Sequence, residues 1–360
     1  MTTSDSRVRR APRGAADAQG FSEDTAGIRV PAPPKSGAGV KVLALAARNP
    51  FFGPLAALLV LVVIFSFTTS TFLSAQNFSV ILQQSVVIGT LALGQTLIIL
   101  TAGIDLANGA ILVVGALVMA KLAQGQPAGM QILILLCGFL LCGLLAFLSG
   151  LLVARFLLPA FIVTLGMYTM LTAGARLYSQ QTLVVPQGIL TVLGTGGYLF
   201  GVFQITVGVF VVIAAVLVLH FALTRTAWGR HVYAVGGNPT AARRTGINVR
   251  RVLLVVYLVA GLLYGLAAWQ AFGRSPATSA NVFGTANLDT ISAVVIGGTS
   301  LFGGRGTVIG SYFGTLIVLV LQSGLTQMGL DPLYQQVLTG ALVIGAVALD
   351  QFTRKVERLA

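Results

Sequence analysis

The chain has 360 residues, of which 56% are hydrophobic and 9% charged, and a mean hydropathy of +0.91. Water-soluble domains do not have that balance, so the sequence reads as a polytopic membrane protein. The net charge of +13 is not a nucleic-acid footprint, because the basic residues sort by loop and form no single patch. Only Asp105, Asp289 and Asp331 of the nine acidic residues lie between Thr25 and Leu349, which leaves no acid–base constellation from which to build an enzyme.

Residues 1–49 carry eight Lys and Arg and no apolar run, the composition of a disordered basic cytoplasmic tail. Arg9 and Arg10 stand some 40 residues before the first apolar run, too far for a twin-arginine export signal. Apolar stretches then recur at 51–73, 79–101, 105–123, 130–154, 159–178, 199–223, 252–272, 288–302, 307–328 and 332–350. Crossing a hydrocarbon core takes about 20 residues. The expected fold is therefore an all-α membrane protein, a helical bundle of about ten spans (eight to ten), with the glycine-rich stretch 288–302 a candidate broken or re-entrant helix. With the tail inside, 19 of the 22 basic residues fall on the cytoplasmic side, and both termini are cytoplasmic. Cys137 and Cys142 are five apart in one apolar stretch, pointing in different directions on a helix, and read as packing residues.

Two places interrupt the apolar runs with glycine, TAGIDLANGA at 101–110 and IGGTSLFGGRG at 296–306. SVVIGT (85–90) and AVVIGGT (293–299) are alike, the trace of an internal repeat of the kind transporters carry. Polar residues inside the stretches, Gln84, Gln95, Asp105, Asn108, Thr164, Tyr168 and Gln322, are candidates for a hydrated translocation path. Their competing role is interhelical hydrogen bonding, worth about 0.6 kcal/mol a pair. For Asp105 the favoured reading is a helix cap at the cytoplasmic interface, where a carboxylate costs little.

The polar segment 225–251 holds six arginines between two apolar stretches. Inside it Asn238 is placed as an N-cap, Pro239 at the first helical position, Ala241 and Ala242 as helix formers and Gly246 as terminator. Such a capped helix on a cytoplasmic loop is a docking element; the plain alternative is a solvated basic linker. GTSLFGGR at 298–305 lacks the Lys and Ser/Thr of a phosphate-binding loop, so any ATP hydrolysis takes place on another chain.

Three segments carry a family resemblance: GQTLIILTAGIDLANGAIL from Gly94, AWGRHVYAVGGNPTAARRTGINV from Ala227 and LDTISAVVIGGTSLFGGRGTVIG from Leu288. From about residue 50 onward the chain resembles the permease subunits of ribose-type monosaccharide ATP-binding cassette importers. The resemblance implies a bacterial plasma (inner) membrane location and a second permease subunit, identical or a sister chain. It also implies an extracytoplasmic solute-binding protein and two cytoplasmic ATPase subunits or one fused tandem ATPase. ATP and Mg would be held by the ATPase, with no cofactor on this chain and no nucleic acid. By the same resemblance Gly237, Asn238, Ala242 and Gly246 belong to a coupling helix seated on the ATPase. The acidic residue frequent there is absent, with Pro239 and Thr240 in its place, which shifts the docking toward shape and toward Arg243 and Arg244. Ala107 stands where the family frequently has Ser. The alternatives are a permease for nucleosides or branched-chain amino acids, and an ion-coupled secondary transporter, which needs ionisable residues at mid-membrane.

Overall fold

The computed structural model describes residues 52–199 and 202–359; the tail expected at 1–49 lies outside the described residues. The helices are α1 (Phe52–Thr68), α2 (Ala75–Leu100), α3 (Asn108–Ala123), α4 (Gln131–Phe156), α5 (Ala160–Tyr178), α6 (Val207–Arg225), α7 (Ala227–Gly237), α8 (Pro239–Arg244), α9 (Val249–Arg274), α10 (Ala286–Ile296), α11 (Val308–Gln327) and α12 (Pro332–Leu359). Every expected apolar stretch contains a helix. Six helical segments of the described residues are long and apolar enough to cross a membrane: α2, α4 (with the 3-10 turn before it), α5, α6, α9 and α11. Helices α1, α3 and α10 are apolar but shorter.

Two expected boundaries move. The stretch at 199–223 becomes helical only from Val207, because strands β2 (Gly196–Leu199) and β3 (Phe203–Thr206) form a hairpin in the register Gly196 to Thr206. The Val207 N–H then bonds the Thr195 carbonyl at 2.8 Å. A second strand pair, β1 (Leu183–Val184) with β4 (Ala277–Thr278), ties the loop after α5 to the end of α9. The stretch at 288–302 is helical only over α10, and 11 residues rise about 16 Å, roughly half the apolar core.

Helix α2 is the centre of the bundle. Every residue from Ser85 to Leu100 is buried, as expected of a helix apolar all round. Around it α9 buries Tyr257 and Tyr264, and glycines admit these rings: a Cβ on Gly94 would press on Tyr264, and one on Gly150 would lie 2.6 Å from Tyr257 Cβ. By contrast α4 turns Leu133, Leu136, Leu140, Leu144 and Leu148 outward, and α6 does the same with Phe210, Leu217, Val218 and Phe221. Outward stripes of large apolar side chains fit hydrocarbon. Both cysteines are free; Cys142 is buried against α3 and Cys137 is exposed.

Where α9 crosses α4, a Cβ on Gly261 would stand 2.6 Å from both Ala146 Cβ and the Cys142 carbonyl oxygen. Gly261→Leu is expected to separate these helices and cost about 1–3 kcal/mol. Gly166→Leu, with nothing within 4 Å, is expected to be neutral. Thermal unfolding of detergent-solubilised protein separates the two outcomes.

Candidate functional site

The segment 225–251 folds much as its local signals dictate. Thr226 caps α7, its hydroxyl accepting from the Gly229 N–H at 3.3 Å. The Asn238 side chain caps α8, accepting from the N–H groups of Thr240 (3.0 Å) and Ala241 (2.9 Å), with Pro239 at the first position. At the other end the Gly246 N–H bonds the Arg243 carbonyl and the Ile247 N–H reaches back to Ala242, both at 3.1 Å. This is the paired-bond C-cap that needs a left-handed residue, and Gly246 supplies φ +87°. Gly237, Asn238, Pro239, Thr240, Ala241, Arg243, Arg244 and Gly246 are exposed, as are Arg225, Arg230, Arg250 and Arg251. Ala242 is 5% exposed and belongs to the main apolar core, so it seats α8 on the bundle.

How that seat is built was not evident in the sequence. The Gly304 N–H bonds the Leu100 carbonyl, the last of α2, at 2.9 Å. Gly236 of α7 lies on the same spot, where a Cβ would collide with the Leu100 oxygen and stand 2.7 Å from the Gly304 nitrogen. Tyr233 donates its hydroxyl hydrogen to the Gly306 carbonyl at 2.9 Å. The end of α2, the end of α7 and the loop between α10 and α11 therefore meet backbone to backbone. The sequence did display the glycines at 236–237 and 303–304; what it lacked was their juxtaposition.

Four of the proposed path residues gather in mid-bundle. After α2 the chain runs without helix from Thr101 to Ala107, buried at Gly103 and Asp105. Asp105 is 1% exposed, enclosed by protein. Its carboxylate accepts from the Ala107 N–H at 2.8 Å and from the Tyr264 hydroxyl at 2.9 Å. The Gln95 amide, nitrogen turned toward the Asp105 carbonyl (3.0 Å), also accepts from the Asp105 N–H (3.3 Å). The Thr164 hydroxyl donates to the Ile104 carbonyl at 2.9 Å, and Asn108 donates to the Thr290 hydroxyl at 2.7 Å. Gln95, Asp105, Asn108 and Thr164 thus hold an unwound segment inside protein, the only setting in which such backbone is tolerated at membrane depth. Next to them the starts of α3 and α10 touch, since a Cβ on Gly109 would meet Ala286 Cβ at 3.3 Å. Their N-terminal dipoles favour the nearby carboxylate.

The other three lie elsewhere. Gln84 and Gln322 line a cavity of about 500 Å³ with Thr71, Asn77 and Ser323. They also line a smaller one with Asp289, Arg274 and Phe283. Tyr168 faces a separate cavity of about 200 Å³ with Arg176 and Asn281. Among the described residues no three His, Cys, Asp or Glu side chains gather to hold a metal ion.

Residues 77–347 match the family described as branched-chain amino acid transport system / permease component. The fructose import permease protein of Rhizobium meliloti is 44% identical over 79% of this chain and 80% of its own length. The ribose import permease protein of Bacillus subtilis (strain 168) is 36% identical over 83% and 92%. The galactose/methyl galactoside import permease protein of Escherichia coli (strain K12) is 35% identical over 83% and 94%. No solved structure matches the chain.

Gly236→Val is expected to lift α7 and α8 off the end of α2, loosening the helical backbone of the arginine-rich segment. Trypsin should then cut after Arg243 and Arg244 at least about tenfold faster, tracking the population of the opened form. Gly237→Val, where a Cβ meets nothing within 4 Å, is expected to leave the rate unchanged.

Proposed function

The chain belongs to this permease family, in its ribose-type sugar-importer branch, and we propose that it forms the translocation path for a monosaccharide. The sugar arrives from an extracytoplasmic binding protein, and a separate ATPase supplies the work. The path is completed by a second permease subunit, identical or a sister chain. ATP and Mg belong to the ATPase, two subunits or one fused tandem chain, and this chain is a transport subunit with no catalytic residue. Its place is the bacterial inner membrane.

Residues 50–360 make the transmembrane domain, with about ten crossings (eight to ten) and both termini cytoplasmic. Two of the crossings are composite: unwound 101–107 followed by α3, and the turn before α10 followed by α10. The exposed arginines of 225–251 support a cytoplasmic position for α7 and α8.

The observation that carries the coupling role is the seat of α7 and α8. An exposed capped helix rests, through backbone contacts at Gly236, on the end of the central helix and on the loop that starts α11. Close-packed backbone transmits displacement with little compression. Movement of a partner holding Gly237, Asn238, Pro239, Arg243, Arg244 and Gly246 therefore reaches α2 and α11 directly, and alternating access follows if the ATPase states bind this element differently.

Gly246→Val, forced into a left-handed conformation costly for a β-branched residue, and the pair Arg243→Glu with Arg244→Glu are each expected to lower ATP-dependent sugar uptake by about tenfold or more. Membrane insertion should persist. Normal uptake in both would overturn the coupling role. A cysteine at Gln180 should react with an impermeant maleimide from outside intact cells and one at Ala241 should not; the reverse pattern would invert the topology.

A further inference from the structure

Between α2, the end of α9, the turn before α10 and α11 lies a cavity of about 230 Å³. Its wall combines chemistries that packing alone does not require. Asp289 is held by two donors, Gln322 to one carboxylate oxygen at 3.1 Å and the Thr285 hydroxyl to the other at 3.2 Å. Each oxygen keeps a further acceptor site. Arg274 lines the same cavity, and among the described residues it pairs with no acid. Gln84, half-buried, has no hydrogen-bond partner among them either. Phe283 completes the wall, on a backbone at φ +61°. That conformation is unfavourable for an aromatic residue and persists only where the surroundings impose it.

We infer that this cavity is a transit subsite for one monosaccharide ring, with Phe283 as the stacking face and Gln84, Arg274, Asp289 and Gln322 as hydroxyl partners. The inference rests on the sugar-permease reading above and adds to it the residues that touch the solute. A sugar ring has an apolar C–H face and an edge of hydroxyls that both donate and accept. The carboxylate accepts, the guanidinium donates and the amides do both. Because carboxylate and guanidinium offset one another, the wall gives no net attraction to an anion or a cation and selects a neutral polar solute. The volume is below that of pockets for drug-sized ligands, which fits a single ring. Gln84 and Gln322 also line the larger cavity that runs to Thr71 and Asn77 at the end of the bundle, so the two cavities adjoin at these side chains. The contacts are few and open, as release requires of a site passed in transit.

The test uses the complete transporter, permease with ATPase and binding protein, in proteoliposomes, with radiolabelled D-fructose, D-ribose and D-galactose measured alongside ATP hydrolysis. Gln84→Leu removes the polar partner, and Asp289→Asn removes the charge and replaces one carboxylate acceptor by a donor, each at nearly constant side-chain volume. Each is expected to reduce uptake of the sugar that the wild type carries by about tenfold, the size of effect expected when a hydrogen-bond partner is lost. ATP hydrolysis stimulated by the binding protein should change less than about twofold, so that fewer sugars move per ATP. Uptake unchanged in both variants would overturn the subsite. So would a parallel loss of uptake and hydrolysis, which marks a purely structural role. Failure of the wild type to accumulate any of the three sugars would instead sink the monosaccharide reading.

Discussion

The carbonyl of Leu100 is the point on which the architecture turns. A helix leaves its last four carbonyls without intrahelical donors, and in a membrane interior each must be satisfied by protein. Helix α2 is buried on all sides from Ser85 to Leu100, so water cannot serve. Ile98 and Ile99 are answered by the N–H groups of Gly103 and Ala102, a tight reversal that places Ala102 at φ +62°. Leu100 is answered from about 200 residues away, by Gly304. The bond brings the loop between α10 and α11 onto the end of the central helix. The glycine at 236 then admits α7 to the same place.

The reversal after α2 has a second effect. It sends an unwound strand back into the bundle, where Asp105 would be prohibitive without partners. Tyr264, the Ala107 N–H and the start of α3 supply them. Because α3 then begins deep in the bundle, it meets the start of α10, and Asn108 to Thr290 joins the two. A polar cluster therefore pins the middle of the molecule, while the large apolar surfaces of α4 and α6 face outward.

These two arrangements divide the labour. The enclosed cluster of Gln95, Asp105, Asn108 and Thr164 gives a stiff centre, as satisfied buried networks do. The exposed helix at 239–244 and the open cavity beside Asp289 sit on opposite sides of it along α2 and α11. A force applied at the first can reach the second through those helices, whose contacts are small-residue and close, and through α9, which runs from the exposed segment to Arg274.

What the sequence determined by itself is what local chemistry controls. The apolar stretches had to be helices in a membrane, and Asn238–Pro239 and Gly246 bracket a helix because a cap, a fixed φ and a left-handed terminator act within a few residues. Tertiary structure decided the facing and the company of each residue. Ala242 turned inward although its exposed neighbours share the same helix, and residues 196–199 paired with 203–206 as strands, which delays the helix to Val207. Asp105 proved to be enclosed, since Tyr264, 159 residues away, lies opposite it. Gln84 and Gln322 were legible as polar residues in apolar surroundings. Arg274, Phe283 and Asp289 were not legible as their neighbours in a cavity, because each sits at a helix end or turn whose position depends on how distant helices pack.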